Sequence, residues 1–141
     1  MPIEPYTLLE PQKLICQEGT TSGSFKRGDL VYTDSAGQII LGSAGKIFGV
    51  AMNDYTGTVS TELEVMLISP QDIWAIPLNT TTAQTNVGTQ GDITYTAGAQ
   101  YVTVGTSVKE VKIVGLHPAD AVGTNGGRVL VQFQPWNYVG R

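Results

Sequence analysis

Apolar residues in this chain come in short bursts, and within several bursts they alternate with polar ones. In Arg128-Val129-Leu130-Val131-Gln132-Phe133-Gln134, Val129, Val131 and Phe133 fall on one side of an extended chain, and Arg128, Gln132 and Gln134 on the other. A period of two is the mark of a half-buried strand. Comparable runs predict strands at 6–9, 13–17, 29–33, 38–41, 46–52, 62–68, 73–76, 92–95, 100–104, 111–116 and 128–134. In Ile73-Trp74-Ala75-Ile76-Pro77-Leu78, one side carries Trp74, Ile76 and Leu78, which assigns Trp74 to the core. Turn residues separate the runs, and Asp34-Ser35-Ala36-Gly37 reads as a hairpin turn. No window of ten residues has a helical period, and a single helical turn is expected at 118–122. The pattern predicts an all-β fold.

The runs also repeat. Gly28-Asp29-Leu30-Val31-Tyr32-Thr33 matches Gly91-Asp92-Ile93-Thr94-Tyr95-Thr96, and Lys46-Ile47-Phe48-Gly49-Val50 matches Lys112-Ile113-Val114-Gly115-Leu116. Gly57-Thr58 and Gly123-Thr124 follow at the same spacing, each shortly after an acid, Asp54 or Asp120. Two similar β-meanders are implied, at about 20–78 and 91–134. A lone meander is marginally stable, so two should pack as a compact barrel or sandwich within a single domain, 13–141. The Thr-rich, uncharged stretch 79–90 reads as the linker between the lobes.

Residues 1–12 stand apart. Prolines at 2, 5 and 11 block a helix and favour an extended N-terminal arm, while Tyr6, Leu8 and Leu9 give that arm something to bury. Such an arm can add a strand to its own sheet or to a neighbour's. Trp136 and Tyr138 lie beyond the last strand and must fold back or anchor a partner. The interaction candidates are Pro5, Tyr6, Leu8, Leu9, Trp136 and Tyr138.

Charge narrows the function. Only 14% of residues are charged, the net charge is −4, and the eight Lys and Arg are scattered. That leaves no basic stripe for phosphates, so no nucleic-acid partner is expected. No signal peptide or membrane-length apolar run is present, which predicts a soluble chain made in a cytoplasm. A surface rich in Thr, Ser, Gly, Asn and Gln is cheap to desolvate against another protein.

Parts for catalysis are scarce. Cys16 is the single cysteine and sits in a strand-like run, as a small buried hydrophobe does. The one histidine, His117, precedes Pro118 and reads as a turn residue, and nothing near it in sequence completes a zinc site. Asp34, Asp54 and Asp120 lack the regular spacing of a calcium loop. Glu62 and Glu64 share a solvated strand face. Thr124-Asn125-Gly126-Gly127 lacks the Lys-Ser/Thr of a phosphate loop. Arg27-Gly28-Asp29 and Asn79-Thr80-Thr81 match an adhesion tripeptide and a glycosylation acceptor by accident. No cofactor, no metal and no enzyme activity are expected.

The segments Phe25-Lys26-Arg27-Gly28-Asp29-Leu30-Val31 and Ile47-Phe48-Gly49-Val50-Ala51, and the stretch from Val111 to Val131, resemble capsid decoration (cement) and head accessory proteins of tailed bacteriophages. The resemblance is one of glycines and aliphatics over about 20–134. It implies a β-rich body, a homotrimer, and attachment to the outer surface of a virion, where the protein bridges major capsid proteins. The alternative is a glycan- or receptor-binding module of a phage tail or fibre, for which Tyr55 and Tyr101 are the aromatic candidates.

Overall fold

The computed structural model describes residues 3–7, 12–16, 24–33, 37–42, 49–56, 63–68, 71–96, 99–105 and 109–134. Among them are eleven strands: β1 (Glu4–Thr7), β2 (Gln12–Cys16), β3 (Leu30–Thr33), β4 (Ile39–Leu41), β5 (Gly49–Ala51), β6 (Leu63–Leu67), β7 (Ile73–Pro77), β8 (Gln90–Thr96), β9 (Ala99–Val104), β10 (Val111–Leu116) and β11 (Arg128–Phe133). The chain is all-β. The helical turn expected at 118–122 is a string of non-helical turns, and among the described residues the one 3-10 turn lies at Gln84–Asn86, where the Asn86 side chain accepts the Ala83 N–H at 2.7 Å. Of the turn predicted at 34–37, residues 34–36 lie outside the described residues, and Gly37 has φ +77° ahead of β4, which pairs antiparallel with β3.

The strands form two antiparallel sheets, ordered β2-β6-β5-β3-β4 and β1-β7-β11-β10-β8-β9. Without β1, the second order is the first one repeated. Each unit is thus five strands with one topology, and β1 is an extra strand laid on β7, Glu4 opposite Ala75 and Pro5 opposite Trp74. Sequence matching places 73–76 in the first lobe, but β7 pairs with β11 and opens the second unit. Its burial explains why: Trp74, Ala75, Ile76 and Pro77 are all buried, so β7 needs cover on both faces. The stretch 79–90 accordingly runs from β7 to β8 inside the second unit. It does not link two lobes.

The matched glycines do different jobs. Gly28 has φ +94°, a turn conformation, whereas its sequence match Gly91 lies where a Cβ would come 2.6 Å from the Thr103 carbonyl. Gly49 is as tight, 2.5 Å from the Met66 carbonyl, yet its match Gly115 has room. Topology repeats here; local backbone does not.

Trp74, Ile76, Leu78, Ile93, Val102, Val111, Ile113, Val129, Val131 and Phe133 fill the core of the second unit. The alternation read in 128–134 is the one observed, with Val129, Val131 and Phe133 inward. A parallel bridge from Leu78 to Val102 draws β7 toward β9 and curls this sheet into a half-barrel. Leu30, Val50 and Ile68 of the first unit join the same cluster, so the two units share one core. Val31, Ile39, Ala51, Leu63 and Val65 point the other way, into a smaller cluster with Phe25 and Tyr55.

One side chain fastens the units at their polar seam. Gln100, on β9 and 4% exposed, accepts the Leu30 N–H at 2.7 Å and donates to the carbonyls of Leu30 (3.1 Å) and Gly42 (3.3 Å). A side-chain amide carries the same donor and acceptor as a peptide group, so Gln100 serves β3 as a substitute strand.

Candidate interaction surface

In each unit the connection between the strands that correspond, β5–β6 and β10–β11, is eleven residues long, 52–62 and 117–127. Both are longer than the usual connection of about 4–6 residues, and loops of a rigid scaffold are where binding residues concentrate. Each one folds back on the connection between its unit's first and second strands. In the second unit Thr81 bridges Asn125, and in the first Phe25 bridges Tyr55.

The second lobe is tightly pinned. Thr82 N donates to Thr124 O at 3.1 Å, Gly123 N to Thr82 O at 2.9 Å, Gly126 N to Thr80 O at 3.1 Å and Leu78 N to Gly127 O at 2.9 Å. The Thr82 hydroxyl accepts Gly123 N at 3.2 Å, and the Thr124 hydroxyl donates to Ala121 O at 2.6 Å. His117 acts as the turn residue its place before Pro118 predicts: Nδ1 accepts the Ala119 N–H at 3.1 Å. Asp120 closes the loop. Its Oδ2 accepts Arg128 N at 2.8 Å and Nε at 2.9 Å, and its Oδ1 accepts Nη2 at 3.1 Å. These bonds favour the charged form and hold the Asp120 carboxyl down to about 2. Of the stretch that resembles a phosphate cradle, the amides of Thr124, Gly126 and Gly127 are spent within the lobe, on Ala121 O, Thr80 O and Thr124 O.

The first lobe is closed by different chemistry. Phe25 and Tyr55 exchange backbone bonds at 3.1 and 2.8 Å, and their rings stack with centroids 5.1 Å apart. Tyr55, a candidate for an exposed sugar-binding aromatic, is therefore buried at 3% exposure. Tyr101 lies on β9, half-buried. Asp54 again acts as a backbone acceptor, taking the Arg27 N–H at 2.9 Å. Asp29 takes the Lys26 N–H at 2.9 Å, and burial raises its carboxyl above the usual range.

Two buried acids that pattern reading missed have the same kind of task. The β8–β10 ladder stops at Gly91 opposite Val111, because Lys109, at φ +60°, turns the chain away. Beyond that point carboxylates replace carbonyls. Asp92 Oδ1 accepts the Lys109 N–H, and Glu110 Oε1 accepts the Ile93 N–H at 3.4 Å. Asp92 and Glu110 are 5% and 0% exposed, and each spends an oxygen on a backbone amide that would otherwise be orphaned. Beside them an open cleft of about 570 Å³ is lined by Gln90, Val104, Lys109 and Lys112 among others. Among the described residues no group of three His, Cys, Asp or Glu is placed to hold a metal.

Of the interaction candidates, Pro5 and Tyr6 lie in β1, on the edge of the second sheet. Leu8, Leu9, Trp136 and Tyr138 lie outside the described residues, as do Asp34 and Glu62. Thus the arm adds its strand to its own sheet, one of the two possibilities its composition allows. The surface feature that sequence reading missed is the pinned lobe at 117–127. Its signal was present in the recurring Gly-Thr after an acid, which marks the same loop in both units.

No protein-family model matches the sequence, and no curated protein matches it.

Proposed function

We propose that the chain is a non-catalytic virion structural protein that binds the outer surface of a phage capsid and stabilises the shell by bridging major capsid proteins, as a homotrimer. The observation that supports this most is the loop-on-loop lobe built twice on one topology. Its acids, Asp54 and Asp120, are committed to backbone amides, and backbone bonds tie the described part of each loop to its neighbour. A pre-ordered loop loses little entropy on binding, so modest contact areas suffice. Three copies engaging the lattice together multiply such contacts through avidity. Stabilisation needs only a higher affinity for the intact shell than for the disrupted one.

The resemblance to cement proteins supplies the partner, and the sparsely charged, Thr- and Gly-rich composition suits it. The experiment is co-sedimentation of the purified chain with shells stripped of accessory proteins, followed by thermal disruption of the shells. Saturable binding with a raised disruption temperature is expected. Shells that neither retain the chain nor gain stability would refute the reading.

A further inference from the structure

Among the described residues Lys109 is the one non-glycine with a positive φ, +60°. A side chain in the left-handed region is strained, and such strain persists only where the surroundings over-determine it, often at binding sites. Those surroundings are on hand. Asp92, 5% exposed, accepts the Lys109 N–H, and the carbonyl of the next residue, Glu110, accepts Gln134 N at 2.7 Å. The fold thus commits a buried acid to holding one exposed lysine in place.

That place is the edge of the open cleft of about 570 Å³. Lys112, exposed on β10 and opposite Gln90 of β8, lines the same cleft. Acids outnumber bases in the chain by twelve to eight, yet no acid among the described residues lines this cleft. Asp92 and Glu110 are buried instead, each with an oxygen on a backbone amide. No ion pair engages either ammonium among the described residues. The walls are fixed, since Gly88 N donates to Ile113 O at 2.8 Å, Ile113 N to Thr89 O at 2.9 Å and Gly105 N to Gln90 O at 3.2 Å. With those amides engaged, the donors left for a ligand are the two ammoniums and the Gln90 carboxamide.

Two like charges without a counter-charge select what can bind. An ammonium meets an oxyanion as a compact point charge with three rotatable donors. A ligand of single charge would leave one lysine uncompensated. The cleft has the volume of a small-molecule site, and one pair of cations on an acidic chain makes no track for a nucleic-acid backbone.

We infer that this cleft binds a small oxyanion carrying two or more negative charges, of phosphate or polycarboxylate type, through Lys109 and Lys112 with Gln90 as a neutral donor. The site is independent of the capsid-binding reading and adds a ligand to it.

The test is a titration of the whole chain with inorganic phosphate, citrate and acetate, followed by amide NMR shifts at constant ionic strength near neutral pH. Phosphate or citrate should shift the amides of Gln90, Gly105, Lys109 and Lys112 saturably, and the tighter of the two names the type of anion; acetate should not. Lys109→Gln and Lys112→Gln should each weaken binding about two- to fivefold, the effect of one exposed ion pair. The double variant should show no saturation, and all variants should melt with wild type. Affinity should fall as added chloride screens the site. Shifts that never saturate, that acetate reproduces, or that survive in the double variant would overturn the site. Those outcomes leave capsid binding untouched, because the stripped shells report on it separately.

Discussion

Gln100 offers the sharpest test of how the two units are held together. Replacing it with alanine removes three hydrogen bonds at once, those to Leu30 N (2.7 Å), Leu30 O (3.1 Å) and Gly42 O (3.3 Å). The losses are unequal. The Leu30 carbonyl keeps the Gly42 N–H at 2.7 Å, so it is not orphaned. The Leu30 N–H has Gln100 as its acceptor, and Leu30 is fully buried. An orphaned buried donor costs about 1–3 kcal/mol, and each further bond lost costs about 0.5–1.5 kcal/mol. Gln100→Ala should therefore lose about 3 kcal/mol, measured by urea denaturation at pH 7.

Gln100→Glu separates hydrogen bonding from mere volume. Its Oε1 can still accept from Leu30, but an ionised carboxylate would face two carbonyl oxygens where an N–H₂ stood. The folded state then favours the protonated acid, which can donate, so its pKa rises above the unfolded value of about 4.3. Stability relative to wild type should be greatest below that value and fall as pH rises through the folded pKa. A loss under about 1 kcal/mol for the alanine, with a pH-independent deficit for the glutamate, would refute the role assigned to this side chain.

Other perturbations probe the remaining parts. Gly49→Ala and Gly91→Ala each push a Cβ to within 2.5 or 2.6 Å of a backbone carbonyl; each should lose about 1–3 kcal/mol in chemical denaturation, as overpacked sites do. Phe25→Ala empties the stacked pair of the first lobe and should lose about 3 kcal/mol by the same assay. Asp120 has a folded pKa of about 2, below its ordinary value. Its contribution is present above about pH 4 and lost as pH falls through 2. Asp120→Asn should therefore be less stable than wild type at pH 7 by about 1 kcal/mol, with the gap closing in acid melts near pH 2. Deleting residues 1–7 removes Ile3 from the shared core and β1 from β7, and should lower the melting temperature by several degrees.

Much of this fold could be read from residue order alone. The alternation at 128–134 and the face shared by Trp74, Ile76 and Leu78 needed only the strand period, because those positions obey a local rule. The duplication was visible in glycines and aliphatics, but its boundary was not. Matching began at Gly28 and Gly91, and the strand that precedes each match has no glycine to mark it. Which unit owns β7 depends on a partner more than fifty positions away, β11.

Gln100 did leave a trace: it shares the inward face with Val102 and Val104, and a polar residue in that row needs a partner from elsewhere. The partner, Leu30, lies in the other unit, beyond the reach of a local pattern. Tyr55 misled for the same reason. It sits among turn residues, and only the fold brings Phe25 against it. Asp92 and Glu110 look like ordinary charged positions until Lys109 breaks the ladder between them.

The central claim is that this duplicated β body works by seating its surface on a protein shell. Cryo-electron microscopy of stripped capsids incubated with the chain examines that claim directly. The account predicts ordered density on the outside of the shell where capsid subunits meet. Bare shells, or density confined to the tail or the inner face, would contradict it.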